Sequence, residues 1–160
     1  MTAAAVQPPL QESPEEALVF RLGEERFALA LTAVDEVAEC AWPHAVPAAV
    51  APMLGVVALG GALLPAYSPH TLLGIDRRDT GGAQAIALLL RRGDRRIALV
   101  VDELLDVIAY PRTALRPVSL GGAEAQLVTG VISREGDIVA VLDADSLVDA
   151  CLDCHPSEGS

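Results

Sequence analysis

From Ala41 to Ile75 the chain carries no acidic or basic side chain other than His44 and His70. A membrane-spanning helix needs about 20 continuous apolar residues. Here Pro43, Pro47, Pro52, Pro65 and Pro69 interrupt the run, and Gly55, Gly60 and Gly61 loosen it further. Each internal proline removes a backbone donor and clashes with the preceding turn, at about 3 kcal/mol. Hydrocarbon has no water to repair the loss. The pattern therefore predicts short buried strands over residues 54–59 and 62–66, turning back at Gly60-Gly61. After Ser68-Pro69, Leu72 and Leu73 read as a helical turn closed by Gly74.

The flanks repeat the theme of paired strands. Residues 17–23 set Leu18, Phe20 and Leu22 against Val19 and Arg21, as a half-buried strand would. Glu24-Glu25 turns the chain, and residues 26–31 return with Phe27, Leu29 and Leu31 on one face. Thr32 is placed to cap a short helix over residues 32–39, with Val34 and Val37 on one side. A charged, glycine-rich break at residues 76–84 is the best internal boundary. Beyond it, residues 85–91 and 96–102 read as buried strands joined at Gly93-Asp94, with two arginines on each side. Those four arginines fit a solvated hairpin tip, or alternatively a phosphate- or acid-binding patch. Residues 103–110 read as strand or short helix, and 111–125 as a loop. Residues 126–133 and 137–142 form a last hairpin about Glu135-Gly136. Leu142, Leu147, Val148 and Leu152 then lie on one helical face. Short strands, frequent turns and two similar halves suggest small barrels, in which closure removes exposed edges.

Composition narrows the class. The chain has 160 residues and is 52% apolar but only 3% aromatic, so its interior must be built from Ala, Val, Leu and Ile. A net charge of −11 opposes binding to nucleic acid or to anionic lipid. Residues 1–16 have neither a basic start nor a continuous apolar core, which predicts a disordered lead-in and no secretory signal. Three cysteines without such a signal fit reduced thiols in the cytoplasm. Residues 151–160 read as a mobile tail.

Candidate chemistry is sparse. Cys151, Cys154 and His155 have the C-x-x-C-H spacing of covalent haem attachment, and the same three could hold a metal. Coming after the last apolar face, the motif has no chain left to enclose a haem, and an incidental thiol pair on a frayed turn is the simpler reading. There is no G-x-S-x-G and no H-E-x-x-H, and without lysine there is no phosphate loop. Asp143 and Asp145 suit capping at a strand-to-helix corner. No catalytic residue and no cofactor is expected.

Taken in order, residues 17–150 resemble the CheW-like adaptor family. Residues 17–31, ALVFRLGEERFALAL, are similar to the family's opening hairpin, and VDEV at 34–37 to its V-x-E-V. Val50 to Gly61, Pro65 and Leu72 to Gly74 follow its central motif. LVVDELLDV at 99–107, Gly130-Val131 and VLDADSLV at 141–148 follow its closing segments. The resemblance implies an all-β fold with short helices, as two intertwined, SH3-like five-stranded barrel lobes. It also implies no catalysis. The implied partners are a CheA-type histidine kinase regulatory domain and the cytoplasmic tip of a chemoreceptor, met without insertion into the membrane. The positions carried over as partner-binding are Val34, Glu36, Val37, Gly55, Val56, Leu59, Gly60, Ala98 and Asp102. Two family motifs are altered: Ala58-Leu59-Gly60-Gly61 stands for Asn-Leu-Arg-Gly, and Ser68-Pro69-His70 for Asp-Leu-Arg. Ala98 stands where the family often has glycine. These departures raise a second expectation, a divergent member that occupies a signalling assembly without activating the kinase.

Overall fold

The computed structural model describes residues 14–76, 84–119, 121 and 123–153. Ten strands and two α-helices follow one another as β1 (Glu15–Leu22), β2 (Glu25–Ala30), β3 (Val34–Ala41), β4 (Met53–Leu59), β5 (Ala62–Tyr67), α1 (Pro69–Leu72), β6 (Gln84–Arg92), β7 (Arg95–Val101), β8 (Glu103–Tyr110), β9 (Val128–Arg134), β10 (Asp137–Leu142) and α2 (Ala144–Asp153). The strands form two five-stranded sheets, ordered β8-β1-β2-β10-β9 in lobe 1 and β3-β6-β7-β5-β4 in lobe 2. The opening hairpin of each half of the chain thus completes the lobe built by the other half. Parallel pairs join each hairpin to its lobe: Ala140 faces Phe27, and Ala66 faces Ala98.

Each lobe is closed by the chain that follows its edge strand. In lobe 2, His44 N–H donates to Val56 O at 2.8 Å, and Val56 N–H to His44 O at 2.9 Å. In lobe 1, Arg116 and Val131 exchange the same two bonds, at 2.8 and 2.9 Å. A glycine makes room both times. A Cβ on Gly55 would lie 1.9 Å from His44 O, and one on Gly130 would lie 2.6 Å from Arg116 O. Gly55 also holds φ +144°, a backbone conformation that side-chain-bearing residues rarely adopt.

Alternation along the hairpin strands feeds three buried clusters. Ala17, Val19 and Ala28 point into lobe 1 with Ile108, Tyr110, Ile132, Val139 and Val141. Ala85, Ala87, Leu89, Ala98 and Val100 point into lobe 2 with Val57, Leu64 and Ala66. The opposite faces, Leu18, Phe20, Leu22, Phe27, Leu29, Leu88, Leu90, Ile97 and Leu99, meet between the lobes under α2. Phe20 and Phe27 stack there, with ring centroids 6.3 Å apart. Strands buried on both faces read as unbroken apolar runs, which is why β6 and β7 look so uniform. β1 is likewise buried on both faces at Leu18, Val19 and Phe20, rather than half-buried as its alternation suggests.

Two elements differ from expectation. Residues 34–41 form strand β3, not a helix capped by Thr32, and only a short 3₁₀ turn precedes it at Leu31–Ala33. Valines three apart suit a helix, but β6 offers an antiparallel partner from Leu90 to Gln84, and that pairing decides the conformation. α2 extends through Asp153, and Cys151 is fully buried against the inter-lobe core. Position 151 is therefore core, not frayed tail. The lead-in up to residue 13, most of the 76–84 break (77–83) and the tail from Cys154 lie outside the described residues.

Candidate protein-interaction surface

The register brings one group of expected residues together. β3 begins, β4 and β6 end, and β5 and β7 begin at the same end of lobe 2, as the pairs Val34 with Leu90, Arg92 with Arg95 and Leu59 with Ala62 require. Val34, Glu36, Leu59 and Gly60 therefore share one rim, with Val37 a little further along β3. β3 is an edge strand whose outward side chains are uncovered: Glu36 is exposed, and Val37 keeps 42% of its surface. Val34 and Leu59 are half-buried and lean on the core. Gly60 sits in the β4–β5 turn at φ +57°, with nothing within 4 Å of where a Cβ would stand.

The other expected positions turn inward. Ala98 is 0% exposed inside lobe 2 and has no surface to offer a partner. It stands between Ala66 on β5 and Leu89 on β6, both inside the same cluster. Gly55 is buried beneath His44, and Val56 spends its backbone groups on closing the lobe.

Asp102 is an internal clamp. It stands where β7 of lobe 2 passes into β8 of lobe 1. Gly23 N–H donates to Asp102 Oδ2 at 2.6 Å, and His70 Nε2 lies 3.1 Å from Oδ1. On the far side of the ring, Nδ1 is 2.6 Å from Ser68 Oγ. Ser68 and His70 are 3% and 1% exposed, so position 70 is a tie between lobes rather than an altered surface contact. Serine, histidine and aspartate do not make a nucleophile here. The three groups face one another between the lobes, and Ser68 keeps only 3% of its surface.

The expectations missed the matching edge of lobe 1. There β8 exposes Leu105 at 36% and Val107 at 51%. The signal was present: LLDV at 104–107 repeats VDEV 70 positions after it, with Val107 in the place of Val37. Between the lobes lies an apolar groove of about 480 Å³, lined by Phe27, Leu73, Ile75, Val118 and Val128 among others. No helix among the described residues is long and apolar enough to cross a membrane, and no three of their His, Cys, Asp and Glu side chains gather to hold a metal. Cys151 is 0% exposed in the core, while Cys154 and His155 lie outside the described residues. Burial also raises the Cys40 thiol pKa on β3.

Known proteins share this arrangement. The chain is 27% identical over 151 residues to "Chemotaxis protein CheW" of Rhizobium meliloti (strain 1021), covering 92% of this chain and 94% of that one. It is 24% identical over 140 residues to "Probable chemotaxis protein CheW" of Rhizobium etli, covering 86% and 90%. The crystal structure of scaffolding protein TtCheW from Thermoanaerobacter tengcongensis has the same fold, with a TM-score of 0.74 at 20% identity over 84% of this chain and 92% of that one. Residues 16–151 match the profile of the CheW-like domain. With two five-stranded sheets, exchanged hairpins and the family profile over most of its length, the chain belongs to the CheW-like family.

Proposed function

We propose that this protein is a non-enzymatic cytoplasmic adaptor that couples chemoreceptor-type proteins to a CheA-type histidine kinase. The observation that carries the reading is the pair of matching edge strands. β3 in lobe 2 and β8 in lobe 1 each leave a valine uncovered, Val37 at 42% and Val107 at 51%. A body with one apolar edge on each lobe, joined through a common core, can hold two protein surfaces at a set separation. The groove between the lobes suits an amphipathic helical segment such as a receptor tip. The charge of −11 favours protein partners over nucleic acid.

Reconstitution with the kinase and a receptor cytoplasmic fragment tests it. The wild type is expected to bring both into one sedimenting complex. Val37→Asp and Val107→Asp, which place a charge on each edge, are each expected to weaken one contact at least 10-fold and spare the other. Wild-type behaviour from both variants would remove the edges from the interface. One observation favours a non-activating member: Gly60 leaves open the space where the family motif has arginine. Gly60→Arg restores that guanidinium. If lost coupling is the reason for the glycine, the variant binds about 10- to 100-fold tighter and the gain shrinks as salt rises. Weaker binding would mean that the partner has been re-matched to a flat surface.

A further inference from the structure

The β6–β7 turn concentrates four of the chain's 11 basic residues at the lobe 2 rim. Across the hairpin, Arg91 faces Arg96 and Arg92 faces Arg95, and like charges in such pairs repel. Arg91 is relieved by Asp35, 3.1 Å away, and Arg92 by Asp149 and Asp145 at 3.0 and 3.2 Å. Among the described residues neither Arg95 nor Arg96 has an acidic partner, and what sets them apart is the burial of Arg96. Its Nε is buried and makes no hydrogen bond, although the residue as a whole is only half-buried. A buried donor left unpaired is costly, and native structures hold few of them.

Position explains what the outer nitrogens of the guanidinium could meet. Arg96 follows the alternation of Ala98 and Val100, so its stem rises from the lobe 2 interior and its head reaches the mouth. The register sets it beside Leu64, with Arg91 and Asp35 on one side and Leu59 at the end of β4 beyond Val57. This is the rim shared by Val34, Glu36 and Gly60. An apolar surface laid along β3 and Leu59 would bring its flanking groups to the guanidinium.

We propose that Arg96 is a carboxylate-binding residue of this rim, which takes an acidic side chain of the protein partner docked on β3. The proposal rests on the adaptor reading above and assigns its lobe 2 contact a definite chemistry. A planar guanidinium held by its stem loses little freedom on pairing and can bind a carboxylate through two donors. Gly60 leaves the approach open. An arginine supplied from β7 would then stand in for the one absent from the β4–β5 turn.

The buried Nε costs stability in the free protein, while the outer guanidinium nitrogens carry the contact to the partner, so stability and affinity move in opposite directions. Arg96→Met keeps the stem and removes the donors. It is expected to raise Tm by about 2 °C or more. It is also expected to weaken binding to the isolated regulatory domain of the cognate CheA-type kinase by about 10- to 100-fold. Arg95→Met removes the same charge from the opposite face of β7 and should change affinity less than 3-fold. If the wild type fails to bind that domain, the adaptor reading falls and takes this proposal with it. Two outcomes overturn the proposal alone: wild-type affinity in Arg96→Met, or equal weakening by Arg95→Met, which would make the effect one of net charge. A lower Tm or loss of folding in Arg96→Met also overturns it, because Nε would then be satisfied in the free protein.

Discussion

The two lobes follow one plan but are tied to each other by unlike contacts. Each half of the chain closes its run of strands with a helix that reaches back to its own opening hairpin, which lies in the other lobe. α1 follows β5 and reaches the β1–β2 turn through His70, Asp102 and the Gly23 amide, a chain that is almost wholly buried. α2 follows β10 and reaches the end of β6 through Asp149 and Asp145 on Arg92, a pairing open to water. The interiors differ as well. Four of the eight residues inside lobe 2 are alanine, whereas lobe 1 holds two alanines with Tyr110 and two isoleucines. The narrower lobe is the one that carries the rim with Val34, Leu59 and Arg96. Equivalent topology therefore does not mean equivalent energetics, since burial decides what each contact is worth.

The largest expected contrast is between the closing glycines. Gly55→Ala must push a Cβ into His44 O and hold a positive φ, whereas Gly130→Ala meets Arg116 O less closely and has no positive φ. Gly55→Ala is expected to lose about 4 kcal/mol or more, and Gly130→Ala about 1–3 kcal/mol. Urea unfolding of both variants reads the difference. Equal losses would show that closure costs the same in either lobe and that the φ at Gly55 is immaterial.

Removing the buried tie comes next. Asp102→Ala leaves the Gly23 amide and the His70 ring short of an acceptor, at about 1–3 kcal/mol. It should also increase hydrogen exchange at Gly23 and in β8 more than in β4. A loss confined to lobe 2 would mean that Asp102 does not join the lobes.

The exposed tie should matter least and should depend on pH. The hydrogen bond from Arg92 holds Asp149 below the ordinary carboxylate range, opposed by a smaller effect of desolvation. A depressed folded-state pKa gives stability that is fully present above the unfolded pKa, near 3.8, and is lost as pH falls through the folded value. Asp149→Asn should therefore have a slightly lower urea midpoint than the wild type at pH 7, with the gap closing as pH falls below 3.8. A constant gap across that range would assign the effect to packing of α2.

The hairpins were legible because their signals are local. Glycine turns at Gly60-Gly61, Gly93-Asp94 and Glu135-Gly136, with apolar runs on each side, specify strand, turn and strand without reference to the rest of the chain. The family motif added the overall plan and marked Val34, Glu36 and Val37 as expected partner-binding positions. Pairing between distant strands has no such local mark. That β3 is a strand was decided by β6, fifty residues away, against a valine spacing that also suits a helix. The burial of Ala98 and His70 was likewise invisible, since an alanine or histidine looks the same in sequence whether it lines a surface or a core. Tertiary structure alone set these, because exchanging hairpins between halves makes almost every decisive neighbour a distant one. Arg96 is the sharpest case: four arginines beside a turn read alike, the acids brought up from β3 and α2 pair only Arg91 and Arg92, and burial of its Nε alone separates Arg96 from Arg95.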